Sequence, residues 1–528
     1  MKVTELEGNL VDVRRGDILP ARISLIEDRI VSITPLSGQK DVYLLPGLID
    51  AHIHIESSLL CPARFSEAAI SRGTTAVVSD PHEIANVMGL EGVKYMFQEA
   101  ERTPLRIYYT APSCVPALGL EGPKLDAEDV RQILSWERCV GLGEVMDVRA
   151  VLQDEPSLIA KLDAAKDMGK RIDGHAPGLR GAPLLAYVAA GPDSDHECTS
   201  AQEAEEKHRL GMRIMVREGS AAKDLANLIP FAQRHDCMLV SDDLDAADLL
   251  LGHVDRLLRR AVEEGMDPVR AIRAVTLMPA EHYRLPLGEL AEGSLADITV
   301  VRDLKSFEPL QTWIGGRLVA QNGTCLVRSE ARRLPHSIFA RKVSAEALIL
   351  PGLEEGKEML VQEALPGQIV GGWKRMRMLM KEGEVIADLE RDILLLAVLD
   401  RRRQRPPTLS LITGFGLRYG AIAASVAHDA HNIIGVGVDR QSLAKALNAV
   451  IDMGGGLYAW NGREERSLPL PLAGLMTDRP CAEVASLDEE LRSFVQAMGC
   501  KLPSPFMTLS FQDPEFRRAI MSPIWSKG

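Results

Sequence analysis

Between Val42 and Asp243 eight short apolar runs follow one another, and most of them end in a histidine or a carboxylate. The runs are VYLLPGLID, TTAVVSD, LRIYYTAPS, CVGLGEV, RIDGHA, the short DSDHE, MRIMVRE and CMLVSDD. Helical stretches such as CPARFSEAAISRG, DAEDVRQILSWE and PSLIAKLDAAKDMG separate them. Short apolar runs alternating with helical patterns read as β/α units and a parallel sheet. Eight such units over roughly 240 residues match an α/β fold of the closed (β/α)8 kind. A doubly wound open sheet competes, because it needs no particular strand count. The polar residues favour the barrel. His52, His54, Asp80, Glu144, His175, His196, Arg217, Asp242 and Asp243 stand at or just after the C-terminal ends of the candidate strands. In a barrel those ends converge on one face, where barrel enzymes carry their chemistry.

The flanks differ in texture. GNLVDVR, ARISLIEDRIVSI and DVYLLPG at the start, and ADITVVRDL and TWIGGRLVAQNG much later, read as short strands, with turns at Gly315-Gly316 and Asn322-Gly323. One small β domain built from residues 1–46 and 284–335 is expected around a barrel of residues 47–283. Residues 336–528 read as a separate α/β domain, with helical runs (RDILLLAVLDRRR, QSLAKALNAVIDM) and buried-strand candidates (TLSLITG, NIIGVGV). A hydrophobic fraction of 46% with only 4% aromatics suits the aliphatic cores of such layers. The net charge of -13 argues against nucleic acid as a partner. No run approaches the roughly 20 apolar residues of a membrane span, and the opening MKVTELEGNLVDVRRGD lacks a signal peptide's apolar centre. A cytoplasmic protein is expected. The eight cysteines are scattered, without Cys-x-x-Cys, as suits reduced structural thiols.

His52 and His54 lie two apart, so on a strand both imidazoles face one side and can reach one ion. Alone, His-x-His is weak; after an apolar strand, and joined by His175, His196 and strand-end carboxylates, it points to metal. Glu144 ends CVGLGEV, and a carboxylate so placed is costly to bury unless paired or metal-bound. Its place midway round the barrel suggests a ligand bridging two metals. Asp173, Asp195 and Glu197 are candidates for orienting the His175 and His196 rings. Asp242 is assigned as ligand and proton acceptor and Asp243 as substrate-facing, with the two roles open to exchange. Four imidazoles and two carboxylates suffice for two divalent ions bridged by hydroxide. This cysteine-free set suits iron, manganese or zinc. Asp80 could cap the helix HEIANVMG, with Pro81 at its first position, and Asp80 or His82 could also touch substrate. Arg217 and Ser220, at the end of the seventh run, are candidate pocket residues. HDAHN (His428 to Asn432) reads first as structural and second as part of an active-site lid.

At these residues the chain resembles the bacterial and archaeal adenine deaminases of the amidohydrolase superfamily. The similar stretches include PGLIDAHIHIESSLL, GTTAVVSDPHEIANVMG, GLGEVMD, DGHAPGL, MVREGSAAKDL and GHVDRLLRRAVEEG, and in the third region ITGFGLRYGAIAASVAHDAHNIIGVG and PLPLAGLMTDRP. The resemblance implies a metal-dependent barrel with a flanking β domain and a C-terminal domain peculiar to these enzymes. It also implies a two-metal centre of manganese or iron, with a glutamate where relatives use a carboxylated lysine. Its ligands would be His52, His54, Glu144, His175, His196 and one of Asp242 and Asp243, with Asp80 near substrate. The implied reaction is hydrolysis of adenine to hypoxanthine and ammonia by a metal-bridged hydroxide attacking C6. The expected partners are a small purine base and further copies of the chain. Deamination of another aminopurine, a cyclic amidohydrolase and a catalytically silent relative are the alternatives. Two stretches depart from the family: Leu244 stands where an arginine usually follows the paired aspartates, and the tail runs QDPEFRRAIMSPIWSKG.

Overall fold

The computed structural model describes residues 3–117, 120–220, 222–351, 358–365 and 371–520. The chain forms two compact units: Met1–His82, Val93–Cys114 and Leu125–Arg332 make the first, and Glu83–Gly92, Val115–Lys124 and Arg333–Gly528 the second. Two segments inside the range expected for the barrel, Glu83–Gly92 and Val115–Lys124, thus group with the second unit. Of the divergent tail, residues 521–528 lie outside the described residues.

In the first unit the barrel strands are β1 (Leu48–His54), β2 (Thr74–Ser79), β3 (Arg106–Ala111), β4 (Cys139–Val145), β5 (Arg171–Gly174), β6 (Ser194–Asp195), β7 (Arg213–Arg217) and β8 (Met238–Val240). After Ser241 a further two-residue strand, Asp242–Asp243, continues β8 and pairs in parallel with β1, Asp242 opposite Ile53 and Asp243 opposite His54. β1 to β5 are parallel neighbours in order, and β6, β7 and β8 form a second parallel run. The Asp193 N–H donates to the Ile172 carbonyl at 2.9 Å, joining β5 to β6. The ring of eight is thereby closed. All seven residues of β1 and all six of β2 are buried, as expected of parallel strands covered on both faces. Helices Pro62–Ser71, Ala127–Leu134, Pro156–Asp167, Ala201–Arg209 and Leu225–Ala232 fill the intervals. The flanking sheet has eight strands in the order Thr324–Cys325, Arg317–Gln321, Pro309–Ile314, Ile298–Val301, Tyr43–Pro46, Val3–Asp12, Asp17–Ile26 and Arg29–Pro35. It draws on both ends of the first unit, and Tyr43–Pro46 leads through Gly47 straight into β1.

The second unit holds β9 (Glu358–Glu363), β10 (Trp373–Arg377), β11 (Leu394–Leu399), β12 (Thr408–Thr413), β13 (Ala421–Ala424), β14 (Ile433–Gly437), β15 (Gly456–Trp460) and β16 (Glu465–Pro469). They form one sheet in the order β10-β9-β12-β11-β14-β13-β15-β16, antiparallel except for the β9–β12 pair. Helix Arg440–Asp452 buries Leu443, Ala446, Leu447 and Val450, a spacing of three and four that lays one face on the sheet core. Among the described residues, no helix is long and apolar enough to cross a membrane.

Candidate metal centre

β1 ends in Asp50-Ala-His52-Ile-His54, and its period-two geometry turns both imidazoles inward. Each ring is then fixed from a different side. The His54 Nδ1 lies 3.1 Å from the Asp80 carbonyl oxygen, which leaves Nε2 facing the basin. His52 stacks on His196 with ring centroids 4.0 Å apart.

Glu144 occupies the middle. Its Oε1 lies 3.3 Å from His54 Nε2 and 3.4 Å from His82 Nδ1. Its Oε2 lies 2.5 Å from His175 Nδ1 and 3.3 Å from His196 Nε2. One carboxylate therefore addresses two separate imidazole pairs. The strand holds it through the Ser113 hydroxyl, which donates to the Glu144 carbonyl at 2.5 Å, and through its own N–H, which donates to Asp80 Oδ2 at 3.0 Å. A Cβ at Gly143 would stand 2.1 Å from Asp80 Oδ2, so only glycine lets that aspartate approach β4.

Asp242 completes the other side. It has φ 59°, a left-handed conformation uncommon outside glycine, which turns the side chain at the strand end. Its Oδ1 lies 3.4 Å from His52 Nε2 and 3.3 Å from His54 Nε2. Its Oδ2 lies 3.3 Å from Arg217 Nη1. Asp243 accepts from the Ser57 hydroxyl at 2.5 Å. The structure thus separates the two aspartates, with Asp242 among the imidazoles.

The electrostatics fit a cation. Burial alone would raise Asp242 and Glu144, but the imidazoles around them hold both carboxyls well below the usual range. Burial and the charge of Glu144 push Asp80 up to about 7. Among the described residues, His52 Nε2 and Asp80 Oδ1 are buried without a hydrogen-bond partner, an arrangement that costs free energy unless something binds there. Donor atoms of His52, His54 and Asp242, of His52, Glu144 and His196, of His54, His82 and Glu144, and of His175, His196 and Glu197 lie within 4.8 Å of one another in each set.

The other residues singled out in the sequence have these partners. Asp80 Oδ2 accepts from the Glu144 N–H of β4, and Oδ1 has no hydrogen-bond partner among the described residues. Of the three carboxylates expected to orient His175 and His196, only Glu197 faces them, 3.8 and 3.4 Å away. Asp173 accepts from Ser194 and Tyr283 at 2.8 Å each, and Asp195 accepts from Lys207 at 2.6 Å. Arg217, expected in the pocket, is buried and engaged with Glu197, Asp224 and Asp242. The Ser220 hydroxyl donates to Asp248 at 2.7 Å and accepts from the Asp245 N–H at 3.0 Å, so it fixes the turn after Asp243. Leu244 is buried, and Asp245 caps helix Ala246–Leu251. In the second unit, His428 and His431 of HDAHN both pair with Glu83, His428 at 2.8 Å.

Sequence reading missed Asp50 and His253. Asp50 is fully buried and accepts from the Ser241 N–H (3.2 Å), the Ser241 hydroxyl (2.5 Å) and the His52 N–H (3.3 Å). It lies 2.9 Å from His253 Nε2, while His253 Nδ1 lies 2.9 Å from the Thr74 hydroxyl. The pair ties β1, β2 and β8 together directly beneath His52 and Asp242. The available signal was a strand carboxylate inside an apolar run, which demands a partner.

Residues 43–319 match the family model described as "Amidohydrolase family", and residues 368–513 match "Adenine deaminase C-terminal domain". An adenine deaminase of Methanothermobacter thermautotrophicus is 44% identical over 510 residues, which cover 96% of this chain and 94% of that protein. One of Methanosarcina barkeri is 41% identical over 516 residues, with the same coverages of 96% and 94%. One of Salinibacter ruber is 40% identical over 512 residues, covering 96% and 93%.

Proposed function

This chain belongs to the adenine deaminase family of the amidohydrolases, and on that premise we propose that it hydrolyses adenine to hypoxanthine and ammonia in the basin around Glu144. One observation supports the site above all: the two oxygens of Glu144 address two different imidazole pairs. His52, His54 and Asp242 on one side, and His175 and His196 on the other, would hold two divalent ions with Glu144 reaching both. Manganese or iron is the proposed occupant, and zinc is compatible with the same donors. Bound there, such ions supply Lewis-acid activation of water and of the C6 centre at neutral pH.

The chain's own groups do the rest. Asp242 takes a proton from the attacking water and returns it to the exocyclic nitrogen, so that water's oxygen ends on C6 and the amine leaves as ammonia. Arg217, against Asp242 Oδ2, holds that carboxylate in line and is a positioning residue. Asp80, His82 and Asp243 meet the purine ring nitrogens. A base that left these buried groups unpaired would be penalised, and that penalty is the proposed source of specificity.

The test is product analysis with protein loaded with manganese and offered adenine, guanine and 2,6-diaminopurine separately. Hypoxanthine and ammonia in equal amounts from adenine are expected. Ammonia from another base but not from adenine would move the substrate assignment, and no turnover of any base by metal-loaded protein would overturn the reading.

A further inference from the structure

The run Arg401-Arg402-Arg403-Gln404-Arg405 follows β11 in the second unit and carries four guanidinium groups in five residues. Three of them are answered locally. Arg402 donates to the carbonyls of Asn86 (3.3 Å) and Glu121 and lies 3.7 Å from Asp400. Arg403 and Arg405 pair with the Glu121 carboxylate, Arg405 at 2.8 Å. Arg401 turns the other way and is fully buried.

Of the five N–H donors on a guanidinium, Arg401 uses one in the chain: Nη2 donates to the Ala473 carbonyl at 2.8 Å. Its Nε and Nη1 have no hydrogen-bond partner among the described residues. Among the described residues no carboxylate pairs with it, and the charged group acting on it is another cation, Arg402. Burial and that neighbour push the guanidinium down to about 9. An arginine cannot readily escape burial by losing its proton, and an uncompensated buried charge is strongly unfavourable.

The surroundings are shaped to receive this side chain. Ala473 and Gly474 are consecutive left-handed residues, with φ 59° and 67°. A Cβ at Gly474 would stand 2.2 Å from Arg401 Nη2, so glycine is what admits the guanidinium. The Ser425 hydroxyl donates to the Gly474 carbonyl at 2.6 Å and accepts from the Gly456 N–H at 2.8 Å, holding that loop in place. The Arg401 backbone is held by Asn432 Oδ1 (3.4 Å from its N) and by the Phe339 N–H, which donates to its carbonyl at 2.6 Å. Two residues before Phe339, Ser337 is buried and its hydroxyl likewise has no partner.

We propose that Arg401 anchors a binding site for a small oxyanion, inorganic phosphate or a short carboxylate, within the second unit. The planar fork of a guanidinium matches two oxygens of such an anion in a bidentate pair. The site lies within the second unit and does not rest on the activity proposed for the Glu144 basin.

The experiment is thermal unfolding of the full-length, metal-loaded protein against sodium phosphate and sodium formate, with sodium chloride at matched ionic strength. A saturable rise in the unfolding midpoint of about 3 °C or more is expected at a tenfold excess over the dissociation constant, with phosphate or formate but not with chloride. Whichever of the two acts identifies the oxyanion. Arg401→Met should abolish the rise, and Arg401→Lys should keep part of it. An equal rise with chloride, no rise with either oxyanion, or an undiminished rise in Arg401→Met would overturn the proposal. If Arg401→Met fails to fold, Arg401→Lys carries the comparison, and an undiminished rise in it would overturn the proposal.

Discussion

Glu144 is buried where a carboxylate has no reason to be unless cations or imidazoles surround it, and both of its oxygens are engaged by different rings. Glu144→Gln keeps the shape and removes the charge. We expect it to lower bound metal and to cut turnover by about two orders of magnitude or more, as loss of a metal ligand costs more than the 10–100-fold typical of an outer partner. Metal analysis and initial rates on one sample check this, and wild-type values of both would remove Glu144 from the ligand set. Asp50 tests the layer beneath. Asp50→Asn replaces an acceptor shared by Ser241, His52 and His253, and should weaken manganese affinity about 10–100-fold. The readout is the manganese concentration for half-maximal rate, with KM for adenine changing far less. An unchanged manganese requirement would reduce Asp50 to a structural strap.

At the scale of elements, buried cations and anions tie strands to their helices. Lys207, on helix Ala201–Arg209, is fully buried and donates to Asp195 of β6 (2.6 Å), to Glu203 (2.8 Å) and to the Ala176 carbonyl after β5 (2.6 Å). Lys207→Met strands two buried carboxylates and should cost about 3–5 kcal/mol, measured by urea unfolding; a loss under about 0.5 kcal/mol would contradict this. In the second unit burial alone would raise Glu83, but His431 and His428 hold it well below the usual carboxylate range. A carboxyl depressed in the folded state contributes stability that is present above its unfolded value near ~4.3 and is lost as pH falls through the folded value. Glu83→Gln should therefore be less stable at pH 7 and should lose less than wild type on acidification below about pH 4.5, read as urea midpoints at each pH. Parallel acid slopes would refute the pairing.

Across the whole chain, the eight-stranded ring was legible because each strand is a short apolar run whose last residues are polar for chemical reasons. His52, His54, Glu144, His175, His196 and Asp242 were legible for the same cause, and the structure brings all six together. What the sequence hid were pairings across the ring. Asp50 and His253 stand 203 positions apart, and no local pattern marks them as partners. Strand-end position says which face Arg217 and Ser220 are on, not which neighbours take up their hydrogen bonds. The Asp-Pro pattern at Asp80 is local, whereas the contact of Asp80 with β4 depends on the missing side chain at Gly143.

The most direct measurement is a titration of metal-free protein with manganese, following hypoxanthine formation from adenine against the ions bound per chain. The account predicts that activity saturates at two equivalents in wild type and that Glu144→Gln never reaches that plateau. Full activity at one equivalent or with none, or a wild-type plateau in the variant, would contradict it.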